Sequence, residues 1–176
     1  MKKLFLFAVA AFAMLATSCS KDANVVEPSN EEVTVSFMVN APEMATRTIA
    51  DGTTATDLHY AVYSNGEYLQ QLSGVKDDFN LSATLKFKLV DGMTYDFIFW
   101  AQNPDAPYSF DTANKKVTVN YANMLSNNEK NDAFFGVLTG VTVNGGMQQS
   151  VDLYRPFAQL NIAAADYEDA KKSGIN

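Results

Sequence analysis

The chain of 176 residues has one cysteine, one histidine and one tryptophan. A lone cysteine, Cys19, cannot close an internal disulfide. A lone histidine, His59, excludes a multi-histidine metal site and leaves a single imidazole for general-base work. No glycine-rich loop sits at a helix start to cradle a phosphate; Gly145-Gly146 reads as a turn instead. Basic residues are scarce as well, 13 Lys and Arg against 20 Asp and Glu. Without residues 1–18 the balance is 11 to 20, a net charge near −9. Such a surface lacks the basic footprint that nucleic acid requires, and it has no electrostatic hold on anionic lipid. Asp77-Asp78 lack the spacing of a calcium loop and read as a solvated turn. No nucleophile, base and orienting group can be assembled, so the chain reads as non-enzymatic, with no cofactor implied.

What is present begins at the amino terminus. Met1-Lys2-Lys3 is followed by an apolar run from Leu4 to Leu15 and by Ala16-Thr17-Ser18, the three parts of a secretory signal. A helix of that run is roughly 18 Å long, too short for a bilayer core of about 30 Å. Residues 1–18 are therefore expected to be removed as a signal peptide. Leu15-Ala16-Thr17-Ser18-Cys19 resembles a lipobox, after which the cysteine is acylated. Ordinary signal cleavage near Ala16 and Ser18 is the alternative, and it would leave a free thiol at Cys19. Acylation accounts for an unpaired cysteine at this place, and two or three acyl chains make a stable membrane anchor. Residues 19–30 carry Pro, Ser, Asn and charge without apolar period and read as a flexible tether. Residues 31–176 then suit one domain with one core.

That domain reads as all-β, an antiparallel sandwich. Val33, Val35, Phe37 and Val39 alternate with Thr34, Ser36, Met38 and Asn40. Leu58–Tyr63 and Thr84–Leu89 alternate likewise. Met93–Ala101 is apolar on both faces and is expected to be a central strand. Further strands are expected at Lys116–Tyr121, Ala133–Leu138, Met147–Tyr154 and Phe157–Ala163. Asn65-Gly66, Asp91-Gly92 and Asn144-Gly145 read as type I′ hairpin turns, which need positive φ at both central residues. Asn123–Asn131 is a polar loop with room for a helical turn. Ala164–Lys172 reads as a short carboxyl-terminal helix with Gly174 at its C′ position. The ending is expected to be incomplete, a truncated reading frame; a natural short terminus is the alternative.

Few residues carry candidate chemistry. His59 lies in a strand, opposite the Leu58/Tyr60/Val62 face, and reads as structural or surface-lying. Trp100, with Tyr95, Phe97 and Phe99 nearby, reads as core, with an aromatic ligand platform as the alternative. Arg155 is expected to pair with an acidic residue at a sheet edge.

Several segments together resemble the fimbrillin-like lipoproteins of Bacteroidetes, in a subgroup whose domain has no known function. They are Tyr154-Arg155-Pro156-Phe157-Ala158-Gln159-Leu160-Asn161-Ile162, Leu58–Tyr63, Asp91–Gln102 and Asp132-Ala133-Phe134-Phe135. The resemblance implies a transthyretin-like β-sandwich on a lipid-anchored protein of the outer membrane, exposed at the cell surface. It implies a trypsin-like cut after an arginine near the first strand, here Arg47 in Thr46-Arg47-Thr48; an ordinary loop arginine is the alternative. Removal of that strand would open a groove filled by a strand from a pilin-like or surface subunit, which is β-augmentation. Complete members continue past the last helix and donate a strand from that part, so this chain is expected to accept a strand without donating one. Asp111-Thr112-Ala113 fits the pattern of O-glycosylation in these bacteria, with Thr112 the acceptor. Two functions follow: a role in pilus assembly, anchoring or adhesion, or a monomeric surface lipoprotein that binds a glycan or protein through exposed aromatics, Trp100 or Tyr108.

Overall fold

Strict alternation makes the first strand. In β1 (Glu32–Asn40) the residues Val35, Phe37 and Val39 are fully buried, whereas Met38 is 54% exposed. β5 (Ser82–Val90) has the same period: Ala83, Leu85, Phe87 and Leu89 point inward, and Lys86 and Lys88 point to solvent. The two pair antiparallel along their whole lengths, from Glu32 opposite Val90 to Asn40 opposite Ser82. The computed structural model describes residues 31–42, 51–125, 128–157 and 172. The signal segment, the tether, Arg47 and, save for Phe157 and Lys172, the expected strand at Phe157–Ala163 and helix at Ala164–Lys172 lie outside them.

β10 (Gln148–Asp152) flanks β1 on its other side, giving a three-stranded sheet in which β1 is central. The β1–β10 pair is parallel, with Ser36 opposite Gln148 and Asn40 opposite Asp152. This departs from the antiparallel pattern of the remaining pairs. The second sheet has β6 (Thr94–Gln102) between β2 (Asp57–Ser64) and β9 (Ala133–Thr142), all antiparallel. The short strands β3 (Glu67–Tyr68) and β4 (Gly74–Lys76) both pair with β2. β7 (Tyr108–Asp111) and β8 (Lys116–Val119) form a separate two-stranded ribbon. The polar loop after β8 holds two single 3-10 turns, Tyr121–Asn123 and Glu129–Asn131.

The two larger sheets face each other as a β-sandwich. Its core joins Val35, Phe37, Val39, Phe87, Leu89 and Val151 to Leu58, Val62, Phe97, Phe99, Ala101 and Phe134. Leu153 and Tyr154 close one side. The Leu153 N–H donates to the Asn40 carbonyl, and Tyr154 exchanges two 2.8 Å hydrogen bonds with Phe135 of β9. Gly136 permits that closure, since a Cβ there would lie 2.8 Å from Leu153.

Only one of the three expected hairpin turns is a hairpin. Asn65 and Gly66 both have positive φ, 50° and 82°, and join the paired strands β2 and β3 as a type I′ turn. Gly92 and Gly145 have positive φ, but Asp91 and Asn144 do not. Positive φ at the second central residue alone is the type II arrangement. These two turns carry the chain from one sheet to the other. They also bind each other: the Gly145 N–H donates to Asp91 Oδ1 at 2.7 Å, and the Gly92 N–H donates to the Val143 carbonyl at 2.9 Å. Asp91 therefore serves here as an acceptor, and both turns as connectors between the sheets rather than as hairpin tips.

Candidate functional site

Two places on this frame could engage a partner. The first is the position of β1 itself. Phe37 meets the rings of Phe97, Phe87 and Phe99 at 4.6, 5.7 and 6.1 Å between centroids. Val35 and Val39 lie two residues either side and are equally buried. Both backbone edges of β1 are occupied, one by β5 and one by β10. β1 is thus the middle plank of its sheet, although it comes first in the described chain. Without it, β5 and β10 would each show an unpaired edge over an apolar floor.

The second place is the outer face of the five-stranded sheet. His59, Trp100 and Phe135 form one rung of this face, and Ala61, Ile98 and Val137 form the next. The β7–β8 ribbon covers part of it. At the ribbon's tip the Tyr63 hydroxyl donates to the Thr112 carbonyl, and Lys115 Nζ sits 4.2 Å above the Tyr63 ring. Burial pushes the Tyr63 phenol up to about 12, so it remains a donor across the physiological range. At the ribbon's base, Trp100 packs edge-on against Tyr108 at 5.7 Å. Trp100 Nε1–H donates to Gln102 Oε1 at 2.6 Å, and the Tyr108 hydroxyl donates to the Asn131 carbonyl at 2.6 Å.

The ribbon leaves an apolar groove of about 240 Å³, with Ile98, Phe135 and Val137 along its floor and Phe110, Val117 and Pro156 on its walls. Among the described residues, Lys115 is the one charged residue lining it. A sugar site needs convergent polar groups beside its aromatic face, and this lining supplies almost none.

Trp100, which reads as core with a ligand platform as the alternative, and Tyr108, the other platform candidate, are 4% and 7% exposed. The reason is the ribbon, whose Phe110, Val117 and Val119 pack against them. Aromatic rings that do reach solvent include Phe135, Tyr154 and Phe157, with Tyr154 65% exposed, and Tyr121 after β8. Sequence reasoning passed over them because Phe135 follows a buried Phe134 and looks like core. Thr112 is half-buried in the turn of the β7–β8 ribbon. Asp77 and Asp78 lie in the turn after β4 and are both exposed. Cys19 and Arg47 lie outside the described residues; Arg47 falls between Pro42 and Asp51, after β1. Among the described residues no group of His, Cys, Asp and Glu could hold a metal ion, and no helix is long and apolar enough to cross a membrane.

Arg155 finds its acidic partner. Its Nη1 and Nη2 meet Asp132 Oδ1 and Oδ2 at 2.7 and 3.1 Å, a two-pronged pair with both side chains largely buried. The guanidinium also lies 5.0 Å over the Phe134 ring.

His59 takes a structural place. It is half-buried under the ribbon, edge-on to Phe110 at 6.4 Å, and its Nε2 has no hydrogen-bond partner among the described residues. Burial holds its pKa below the ordinary 6.5, with nearby Asp57 opposing the shift. Above pH 6.5 the ring is neutral in both folded and unfolded chains. As pH falls below that value, the unfolded chain takes the proton first, so stability declines until the folded pKa is passed. His59→Phe is expected to remove this share of the acid sensitivity while changing stability at pH 7.5 by about 1 kcal/mol or less. Urea midpoints of both proteins at pH 7.5 and pH 5 check it. An equal acid shift in the two proteins would refute it.

A model of the family of unknown function DUF6562 matches residues 26–175. The chain belongs to DUF6562. Comparison with curated proteins gives no match. Two solved structures resemble this DUF6562 chain. One is a DUF1812 protein from Bacteroides thetaiotaomicron, provisionally described as polysaccharide-binding. It has 15% identity and a TM-score of 0.47, over 71% of this chain and 47% of that one. The other is a fimbrial assembly protein from Parabacteroides distasonis, with 12% identity and a TM-score of 0.39, over 70% of this chain and 52% of that one. The chain spans about half the length of either structure.

Proposed function

We propose that this DUF6562 protein is a non-enzymatic, fimbrillin-like lipoprotein of the outer membrane, held through acylated Cys19, that joins surface or pilin-like subunits by strand replacement at β1. The observation that carries the reading is the place of β1: buried, central, paired on both edges, and ahead of Arg47 in the chain. A cut after Arg47 would leave β1 attached to the lipid but no longer to the domain. Arginine content supports a specific cut. The chain has two arginines, Arg47 and Arg155. Arg155 precedes Pro156, a bond that resists trypsin-like enzymes, and its side chain is committed to Asp132. That leaves Arg47 as the other arginine bond in the sequence. With Arg47 intact, the lipid would hold the whole domain at the membrane.

Intact-mass analysis of protein taken from cells, followed by arginine-specific proteolysis of the folded protein, tests this reading. The expected result is acyl mass on Cys19 and one cut, between Arg47 and Thr48. A free thiol at Cys19, or an Arg47 bond that resists the protease, would overturn it. The same spectrum reads any glycan on Thr112.

The alternative, a monomeric lipoprotein that holds a glycan, has narrower support. Its aromatic surface would be Phe135, Tyr154 and Phe157 rather than the buried Trp100 and Tyr108.

A further inference from the structure

We infer that the β1 position selects its incoming strand by two features, an aromatic residue at the Phe37 place and acidic residues at the outward Thr34 and Ser36 places. This rests on the strand-replacement reading and specifies the partner.

The inward selection follows from shape. The Phe37 site is bounded by three aromatic rings with centroids within 6.1 Å, and Phe37 fills it with no exposure. An alanine there would leave a void that close-packed rings cannot collapse into, whereas Val35 and Val39 occupy smaller, β-branched sites on either side. The incoming strand therefore reads aliphatic–x–aromatic–x–aliphatic.

The outward selection follows from charge. Thr34 stands opposite Lys88, and Ser36 stands opposite Lys86. Both lysines are exposed, and neither Thr34 nor Ser36 neutralises them. Directly opposed unlike charges stabilise a strand pair, and like charges destabilise it. An incoming strand with Asp or Glu at these places pairs better than β1 does. The rule also excludes a wrong partner. β5 carries Leu85-Lys86-Phe87-Lys88-Leu89, the right inward pattern, but a β5 from a second copy would set lysine against lysine. Discrimination of this kind needs a repulsive element as well as an attractive one.

The test uses the full chain nicked after Arg47 and fluorescent peptides spanning Glu31–Ala41, added in excess to displace the resident strand. The native peptide is expected to exchange in. A peptide with Phe37→Ala is expected to bind about 100-fold more weakly or worse. Thr34→Glu with Ser36→Glu is expected to bind about 2–5-fold tighter at low salt, and Thr34→Lys with Ser36→Lys correspondingly weaker, with both differences shrinking as salt rises. The domain is the same in every arm, so no variant can fail by misfolding it. If nicking unfolds the protein, or the native peptide never enters, the strand-replacement reading itself is overturned. If the native peptide enters and Phe37→Ala binds equally well, the aromatic selection alone is overturned. Equal binding of the Glu and Lys peptides overturns the charge selection.

Discussion

Phe37→Ala in the intact chain is expected to lower stability by about 3–5 kcal/mol, the range for removing a fully buried phenylalanine. The loss has two parts. One is the transfer free energy of the ring, and the other is the cavity left among Phe87, Phe97 and Phe99. These rings belong to both sheets, so neither sheet can move in without disturbing the other. Native domains are stable by about 5–15 kcal/mol, so this single change removes a large part of the total. Met38→Ala, one residue along the same strand, is expected to cost about 0.5 kcal/mol or less, because Met38 is 54% exposed. Urea unfolding followed by Trp100 fluorescence measures both, with the slope checked for two-state behaviour. Similar midpoints for the two variants would show that β1 is not packed as described. The contrast matters for function, since a strand that contributes this much cannot leave unless another takes its place.

Asp132→Ala is expected to be about as damaging, about 3–5 kcal/mol, for a different reason. It removes the two-pronged carboxylate partner of the Arg155 guanidinium in a site where the Arg155 side chain is 14% exposed. The pair also has an architectural task. Asp132 lies just before β9, and Arg155 lies just after the Tyr154 bridge, so the two hold the exit of β10 against the start of β9. Arg155→Lys keeps the charge but loses the two-pronged geometry and is expected to fall between wild type and Asp132→Ala. The double variant Asp132→Leu with Arg155→Met removes both charges of this pair and is expected to lie closer to wild type than Asp132→Ala. Chemical denaturation of these variants as a double-mutant cycle checks the claim. If Asp132→Ala stays within about 0.5 kcal/mol of wild type, the ion pair is a surface contact and the argument fails.

The sequence by itself determined which residues face inward. Alternation in Val33–Val39 and Thr84–Leu89 identified β1 and β5 with their buried faces, and the two-sided apolarity of Met93–Ala101 identified β6 as central. Asn65-Gly66 announced its hairpin, because both residues tolerate positive φ and the signal is complete within the turn. These are local properties of the pleat and of two dihedral angles, and a sequence displays them directly. Only the tertiary structure decided what each strand pairs with. Ser36 meets Gln148 and lies parallel to it, more than a hundred residues along the chain, and no periodicity encodes a neighbour at that distance. The same reason accounts for Asp91-Gly92 and Asn144-Gly145, which look like hairpin tips but join different sheets. It accounts for Trp100, whose exposure depends on whether the distant β7–β8 ribbon lies over it. It also accounts for Arg155, where the need for an acid was legible and its identity as Asp132 was not.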